Sequence, residues 1–245
     1  MKIYYIYHSC FVVETKNSFL IFDYYKSKNN EGDFEFKDLL KSILESEKHV
    51  YIFVSHSHND HYNSEILTWN QKKEGVYYIF SDDIRVYNNI KHFYYVGENQ
   101  KIKINNATIT TFGSTDAGVS FLVNIDNINI FHAGDLNWWK WNDDTKSEEE
   151  EMENSFKSII KNIIASNISL DIAFFPVDAR LEENYLCGGD YFIDMFQPDL
   201  FIPMHFGDNY KTVTDFIKSQ SAKKINTKIL KINYPNQLLI PHIKH

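Results

Sequence analysis

The chain has few of the residues that mark disulfide-rich, disordered or membrane-spanning proteins. Its 245 residues include only two cysteines, nine glycines and five prolines. The two cysteines, Cys10 and Cys187, exclude a disulfide framework and a four-thiolate zinc site. Scarce glycine and proline argue against low-complexity disorder, and no run approaches the ~20 apolar residues of a membrane span. We therefore expect a well-packed, soluble globular protein.

Basic residues are also fewer than acidic residues. Lysine and arginine number 25 against 33 acidic residues, which gives a net charge of −8 with no basic cluster to offset it. A protein that grips phosphate backbones usually has the opposite sign, so a nucleic-acid partner is not expected. The opening MKIYYIYHSCFVVE lacks the continuous apolar core of a signal peptide, which favours a cytoplasmic protein without membrane association. We expect a small-molecule partner, and the sequence leaves a homo-oligomer open.

Aromatic residues and short apolar runs are abundant, and the runs predict the elements. The strand-like runs are 2–7, 10–14, 18–23, 50–54, 76–80, 101–104, 107–112, 119–125, 128–132, 171–175, 199–203 and 227–232. Helical spacing covers 36–46, the apolar positions from 156 to 164, 188–196 and 210–218. Asn17-Ser18 and Asp126-Asn127 are the expected hairpin turns. The acidic block 143–154, which contains four glutamates in a row at 148–151, is expected to be a solvated helix start or mobile loop, with a lid as the alternative.

Strand-rich halves that each finish in helices predict an α+β fold. The economical arrangement is two sheets packed together with helices outside. No repeat or linker interrupts the chain, so residues 1–245 are expected to form a single domain.

The strongest chemical signal is the sequence HSHNDH at 56–61, directly after a buried strand-like run. Neutral imidazole nitrogens and carboxylate oxygens both bind zinc at about 2.0–2.2 Å. A tight loop at a strand end can aim His56 and His58 at one point and Asp60 and His61 at a second. The alternative is a solvated polar loop with incidental histidines.

Two further ligand candidates follow later strand-like runs. Asp135 stands in FHAGDLN and His205 in PMHFGDN, each just beyond an apolar run. Taken singly, each is as readily a turn residue or an ordinary buried histidine. In the company of the first motif, they are predicted to complete a metal site.

Together these motifs resemble the metallo-β-lactamase superfamily of metal-dependent hydrolases. The segments YHSCFVVE, FLIFD and FHAGD are similar to the bacterial branch that includes sugar-phosphate lactonases. The resemblance implies a four-layer αββα sandwich with two metal ions at one edge. His56 and His58 would bind the first metal. Asp60, His61 and His205 would bind the second, with Asp135 bridging both.

The sequence departs from the family at the third histidine of the first metal. His92, in IKHFYYVG, lies long before the loop from which the family supplies that ligand. The segment 112–118 reads FGSTDAG instead, and Asp116 is the best substitute, with Ser114 or Thr115 acting through a water as alternatives. Asp116 could also merely cap a turn. A first site of two histidines and carboxylates suits Mn²⁺ or Fe²⁺ as well as Zn²⁺, or leaves that metal weakly bound or absent.

Five further residues are weaker candidates for a role near the predicted metal ligands. His8 and His132 are candidates to support the ligand side chains. Trp138, which opens the segment WWKW, is a candidate to line a substrate cleft with the two tryptophans that follow. Asp178 and Arg180 are candidates to orient an anionic group or a ligand histidine. Ordinary packing or a structural salt bridge is the alternative for each.

These features predict a hydrolase with two divalent metal ions, zinc first among them. A metal-activated water would attack an ester, lactone or phosphodiester, with Asp60 orienting the water and carrying its proton to the leaving group. A metal-binding or sensing protein that has lost catalysis is the main alternative, and a nuclease is less favoured because of the charge. The diiron, oxygen-reducing branch has a glutamate where His58 stands, so redox chemistry is not expected.

Overall fold

The computed structural model describes residues 1–25, 33–86, 89–223 and 225–241. By its internal contacts the chain divides into two compact units. The first comprises Met1–Val96 and the segment that starts at Asn233, and the second comprises Gly97–Ile232. Within the described residues each unit contains a seven-stranded sheet. The single-domain organisation of 1–245 stays a prediction.

The elements follow one another in a strand-rich order. The strands are β1 (Lys2–Tyr7), β2 (Cys10–Glu14), β3 (Ser18–Phe22), β4 (His49–Val54), β5 (Val76–Ser81), β6 (Phe93–Val96), β7 (Lys101–Ile104), β8 (Ala107–Phe112), β9 (Ser120–Ile125), β10 (Ile128–His132), β11 (Ile172–Pro176), β12 (Leu200–Met204), β13 (Lys228–Ile229) and β14 (Gln237–Leu239). The α-helices are α1 (Asp33–Glu45), α2 (Lys146–Ala165), α3 (Cys187–Phe196) and α4 (Tyr210–Ala222). Two 3₁₀ helices, Ser64–Gln71 and Ala179–Asn184, complete the set.

The sheet of the first unit is mixed, with the order β14-β1-β2-β3-β4-β5-β6. The strands from β3 to β6 run parallel, whereas β1, β2 and β14 are antiparallel to their neighbours. Alternate strand residues such as Ile52 and Phe80 form one buried cluster with Phe36 of α1 and with Trp69 of the first 3₁₀ helix. Period-two burial of this kind is what the apolar runs predict. Because β3 and β4 are parallel, the segments that follow them emerge at the same edge of the sheet.

The sheet of the second unit has the order β13-β12-β11-β10-β9-β8-β7. The strands from β7 to β10 are antiparallel and those from β10 to β13 are parallel. The three parallel connections contain α2, α3 and α4, the usual way of crossing between parallel strands. The carboxyl ends of β10, β11 and β12 therefore share one edge, and Asp135, Asp178 and His205 follow those three strands.

The hairpin turns illustrate where local sequence determines structure. Asp126 and Asn127 both have positive φ, 50° and 62°, as a two-residue type I′ turn requires, which confirms this turn. The turn predicted at Asn17-Ser18 differs, because Ser18 is the first residue of β3. The Thr15 hydroxyl accepts from the Ser18 N–H and donates to the Ser18 carbonyl, so it closes the turn one residue earlier.

The acidic run 148–151 lies in the first turns of α2, as a helix start. Thr145 caps the helix by accepting from the N–H of Glu148, whose side chain returns a hydrogen bond to the Thr145 backbone. This capping box, and the favourable interaction of acidic residues with the helix N-terminus, explain why α2 begins well before its apolar stripe.

The α+β class is confirmed by the two mixed sheets and their helices. Some elements differ from expectation. The predicted strand 227–232 shortens to β13, while β6, β14 and both 3₁₀ helices were not predicted. Among the helices in the described part of the chain, none combines the length and the apolar content needed to cross a membrane.

Candidate metal centre

The loop after β4 brings three imidazoles together in the first unit. His56 and His61 are fully buried, whereas His58 is exposed. The ring centroids lie 4.1 Å apart for His56 and His61 and 4.6 Å apart for His56 and His58. The backbone N–H groups of His61 and Tyr62 both donate to the His58 carbonyl at 3.0 Å, so the chain turns sharply enough to gather the rings.

A buried carboxylate behind this loop, Asp23, orients one of the histidines. It follows β3 with a φ of 45° and is fully buried. One oxygen accepts from the Ser55 N–H at 2.7 Å, and the other accepts from the Ser55 hydroxyl at 2.7 Å and from Nδ1 of His61 at 2.8 Å. A carboxylate on Nδ1 fixes the tautomer and ring orientation that present Nε2 as a metal ligand.

Ser55 orients the imidazole of His56 in the same way. Its hydroxyl donates its proton to Asp23, so the oxygen is left to accept from Nδ1 of His56, 2.9 Å away. His56 is thereby also held with Nε2 as the ligand nitrogen. Sequence reasoning missed Asp23, although the signal existed in FLIFD, a carboxylate directly after a strand.

Asp60 and His8 complete the group in the first unit. His8 lies in the β1–β2 turn with a φ of 55°, and its Nε2 is 3.5 Å from Oδ2 of Asp60. The same carboxylate oxygen is 4.0 Å from Nε2 of His61. The hydrogen bond with His8 holds the pKa of Asp60 well below its usual range; burial opposes this, and His61 adds to the lowering. Asp60 is therefore an ionised carboxylate at neutral pH, half exposed beside two imidazoles.

In the second unit, Asp135 is presented by a tight turn after β10. Gly134 has a φ of 54°, and its N–H donates to Nδ1 of the buried His132 at 3.2 Å. Trp139 donates from Nε1 to the Asp135 carbonyl at 2.9 Å. These bonds fix the loop, so the nearly buried carboxylate of Asp135 lies with Oδ1 3.3 Å from Nε2 of His205. The His132 side chain therefore supports the turn by accepting from the Gly134 N–H.

His205 is held from its other side by Asp178. It follows β12 with a φ of 64°, and its Nδ1 lies 2.8 Å from Oδ2 of Asp178. Burial lowers the pKa of His205, but the carboxylates of Asp135 and Asp178 outweigh burial and raise that pKa to about 9. The surroundings of this imidazole therefore favour positive charge. A divalent ion on Nε2 would supply that charge in place of the proton.

Asp178 is itself fixed by Arg180. The Arg180 guanidinium donates to it from Nε at 2.9 Å and from Nη2 at 2.5 Å. Burial raises the pKa of Asp178, but the hydrogen bonds from His205 and Arg180 outweigh it and lower that pKa to about 2. The sequence left open whether Asp178 and Arg180 orient an anionic group or a ligand histidine. In the structure, Asp178 contacts the imidazole of His205.

Asp116 lies near Asp135, as a substitute ligand must. Their carboxylate groups each offer an oxygen within 4.8 Å of the other. The loop is fastened by Thr115, whose hydroxyl donates to the Asn137 carbonyl at 2.6 Å and accepts from the Asn137 N–H at 3.0 Å. By contrast, the ring centroid of His92, which directly precedes the edge strand β6 of the first sheet, lies 4.8 Å from that of Tyr77.

The tryptophans after Asp135 divide between two roles. Trp138 packs against Phe156 of α2 and Tyr191 of α3, with centroid distances of 5.9 and 6.0 Å. Trp139 and Trp141 stack with a 7° interplanar angle and line a pocket of about 240 Å³. The pocket lies wholly in the second unit and is lined by Thr115, Asp116, Asp135, Trp139, Trp141, Met152, Arg180 and His205.

Each unit thus holds imidazoles and carboxylates of the types that bind Zn²⁺, Mn²⁺ or Fe²⁺. Residues 2–153 match a family model described as a beta-lactamase superfamily domain. The chain belongs to the beta-lactamase superfamily. This confirms the superfamily resemblance derived from the HSHNDH motif and the later aspartate and histidine.

Similar proteins extend this picture. A UPF0173 metal-dependent hydrolase from Methylacidiphilum infernorum (isolate V4) is 41% identical over 61 residues, 25% of this chain and 24% of that protein. The chain therefore matches about a quarter of that curated relative's length.

Two solved structures show the fold along nearly the whole chain. One is Igni18, a metallo hydrolase from Ignicoccus hospitalis KIN4/I, with a TM-score of 0.65 at 14% identity, covering 99% of both chains. The other is CmlA, a diiron beta-hydroxylase from Streptomyces venezuelae, with a TM-score of 0.65 at 11% identity, covering 97% of this chain and 53% of that one. The family match and these likenesses confirm the metallo-β-lactamase-like fold. A hydrolase and a hydroxylase share it, so the fold alone does not decide the reaction.

Proposed function

We propose that this protein is a metal-dependent hydrolase that uses a metal-activated water on a small-molecule ester, lactone or phosphodiester. The observation that carries the proposal is the pair of buried carboxylate–imidazole bonds, from Asp23 to His61 and from Asp178 to His205, both at 2.8 Å. Such bonds orient imidazoles as metal ligands. Family membership and the hydrolase named among the relatives support the same reading.

The proposed ligands follow the order of the family motifs. His56 and His58, with Asp116, would hold one divalent ion. Asp60, His61 and His205 would hold a second, and Asp135 would be shared. The described imidazoles and carboxylates form two donor clusters, which supports an assignment to two ions. Two histidines with several carboxylates suit Mn²⁺ or Fe²⁺ as well as Zn²⁺.

The reaction would divide between metal and protein. Bound divalent ions lower the pKa of water and polarise the substrate oxygen. Asp60, ionised and held by His8, would orient the attacking water, take up its proton and deliver that proton to the leaving group. Asp23 and Asp178 would keep their histidines aligned throughout.

A non-catalytic metal-binding or sensing protein is the second candidate. The observation that favours it is Asp116, an exposed carboxylate where the family supplies a histidine. A weakly held first ion would leave the water without its second activating charge. Turnover separates the two candidates.

The test is hydrolysis of a small panel by protein loaded with Zn²⁺, Mn²⁺ or Fe²⁺. The panel contains an aryl ester, a five-membered lactone and an aryl phosphodiester. We expect metal-dependent turnover of at least one class of substrate. In Asp135→Ala this turnover should fall by about 100-fold or more, because losing a residue that merely supports a metal ligand already lowers activity by up to about 100-fold. His92→Asn is the matched control, because this histidine lies outside both donor clusters and asparagine tolerates its positive φ of 60°.

Two outcomes would contradict the proposal. Absence of turnover with every metal across the panel would favour the sensing protein. Full activity in Asp135→Ala would remove the shared ligand from the assignment.

A further inference from the structure

The pocket beside Asp135 and His205 has a chemistry of its own. We propose that it selects substrates that carry a flat apolar group next to an anionic group, the apolar group resting on Trp139 and Trp141 and the anion facing Arg180. This inference rests on the proposed function and names the substrate class for the same site.

The first support is a rigid aromatic wall directly beside ligand residues. Trp139 is buried, its Nε1 donates to the Asp135 carbonyl at 2.9 Å, and its ring meets that of His205 edge-on at 5.4 Å. Trp141 lies parallel to Trp139 with centroids 6.1 Å apart. Met152 of α2 adds a deformable apolar surface. Indole faces held in this way favour flat apolar groups.

The second support is a fixed cation at the same pocket. The Arg180 side chain is 63% exposed, although its partner Asp178 is buried. Its guanidinium carbon lies 5.9 Å from the centroid of the Trp141 ring. Asp178 joins Arg180 to His205, so the guanidinium is held at a set position relative to a proposed metal ligand. Guanidinium groups are well suited to carboxylates and phosphates.

Asp178 already pairs with Arg180, and further carboxylates lie around the pocket. Asp116 and Asp135 are the proposed ligands, whose charge a bound divalent ion would neutralise. An adjoining groove shares the two tryptophans and includes Asp144 and Glu148. Those two carboxylates are engaged locally, Asp144 with the Trp141 N–H at 2.9 Å and Glu148 in the cap of α2. The third acidic residue of that groove, Glu151, is exposed.

The size of the pocket limits the substrate. Its volume of about 240 Å³ lies below the ~300–1,000 Å³ of pockets for drug-sized ligands. The space formed by this unit therefore suits one ring and a short chain.

Three probes of one shape and different charge test the inference: phenylacetate, 2-phenylethanol and 2-phenylethylammonium. Binding to the metal-loaded protein is measured by ligand-observed NMR titration. We expect phenylacetate to bind about fivefold more tightly than 2-phenylethanol, the preference of a solvent-exposed ion pair. In Arg180→Gln that ratio should fall to about one, and Arg180→Lys should restore part of it.

The ratio of phenylacetate affinity to 2-phenylethanol affinity distinguishes anion recognition by Arg180 from a purely structural role of this residue. If Arg180 merely supports Asp178, its loss weakens all three probes alike and leaves the ratio unchanged. Arg85→Gln, at the other arginine of the chain, is the matched control and should behave as wild type. Metal content is measured for every variant.

A preference for the ammonium probe, or an anion preference that survives Arg180→Gln, would overturn the inference. Because binding is measured without turnover, a protein that hydrolyses nothing in the panel can still show the preference. A protein that hydrolyses the panel can likewise lack it, so the two proposals fail separately.

Discussion

At the scale of single residues, the candidate metal ligands could be predicted from the sequence, but the residues that orient them could not. The HSHNDH motif carries its chemistry in consecutive residues, so a local reading suffices. Asp23 supports His61 only because β3 and β4 pair in parallel, and no local pattern states which strands will pair. The packing of Trp138 against α2 and α3 could not be predicted either. The segment after β10 is irregular, so it has no repeating pattern that indicates which side chains face the core.

Asp23→Asn is the substitution that tests the orienting role. Asparagine keeps the shape and tolerates the φ of 45°, but its amide nitrogen cannot accept the proton of His61 or Ser55. We expect metal affinity to fall by about 10–100-fold, measured by competition with a chromophoric chelator. Asp38→Asn, on the exposed face of α1, is the control. Affinity within about twofold of wild type would show that Asp23 does not orient a ligand, since a supporting partner is worth more than that.

At the scale of elements, apolar runs predicted the strands that form the centre of each sheet. The failures have physical reasons. The 3₁₀ helices lack a long apolar stripe, and only Lys228 and Ile229 of the predicted last strand find register with β12. The start of α2 was set by a cap rather than by its apolar face, since the Thr145–Glu148 capping box extends the helix into a polar segment.

Thr145→Ala should therefore destabilise the protein through α2. Loss of the N-cap hydroxyl is expected to lower the free energy of unfolding by about 1 kcal/mol in urea titration. Thr145→Ser, which keeps the hydroxyl, is expected to remain close to wild type. An alanine variant as stable as wild type would mean that the cap does not hold the first turn of α2.

At the scale of the whole molecule, the order of the motifs along the chain is what revealed the fold. Each unit places most of its donor groups after parallel strands, β4 in one and β10 and β12 in the other. Groups beyond the carboxyl ends of parallel strands are a common way to build a site. The substrate could not be predicted from sequence, because the side chains that we propose to contact it, such as Trp139 and Arg180, meet only in the folded pocket.

We propose a two-ion centre in which Asp116 replaces a histidine, and the metal content of the protein is its sharpest test. Protein purified without chelators is measured by elemental analysis, beside Asp116→Ala and the control Asp143→Ala, an exposed aspartate outside the donor clusters. We expect about two ions per chain, as in binuclear sites, and a fall to about one in Asp116→Ala but not in Asp143→Ala. About one ion per chain, unchanged by Asp116→Ala, would contradict it.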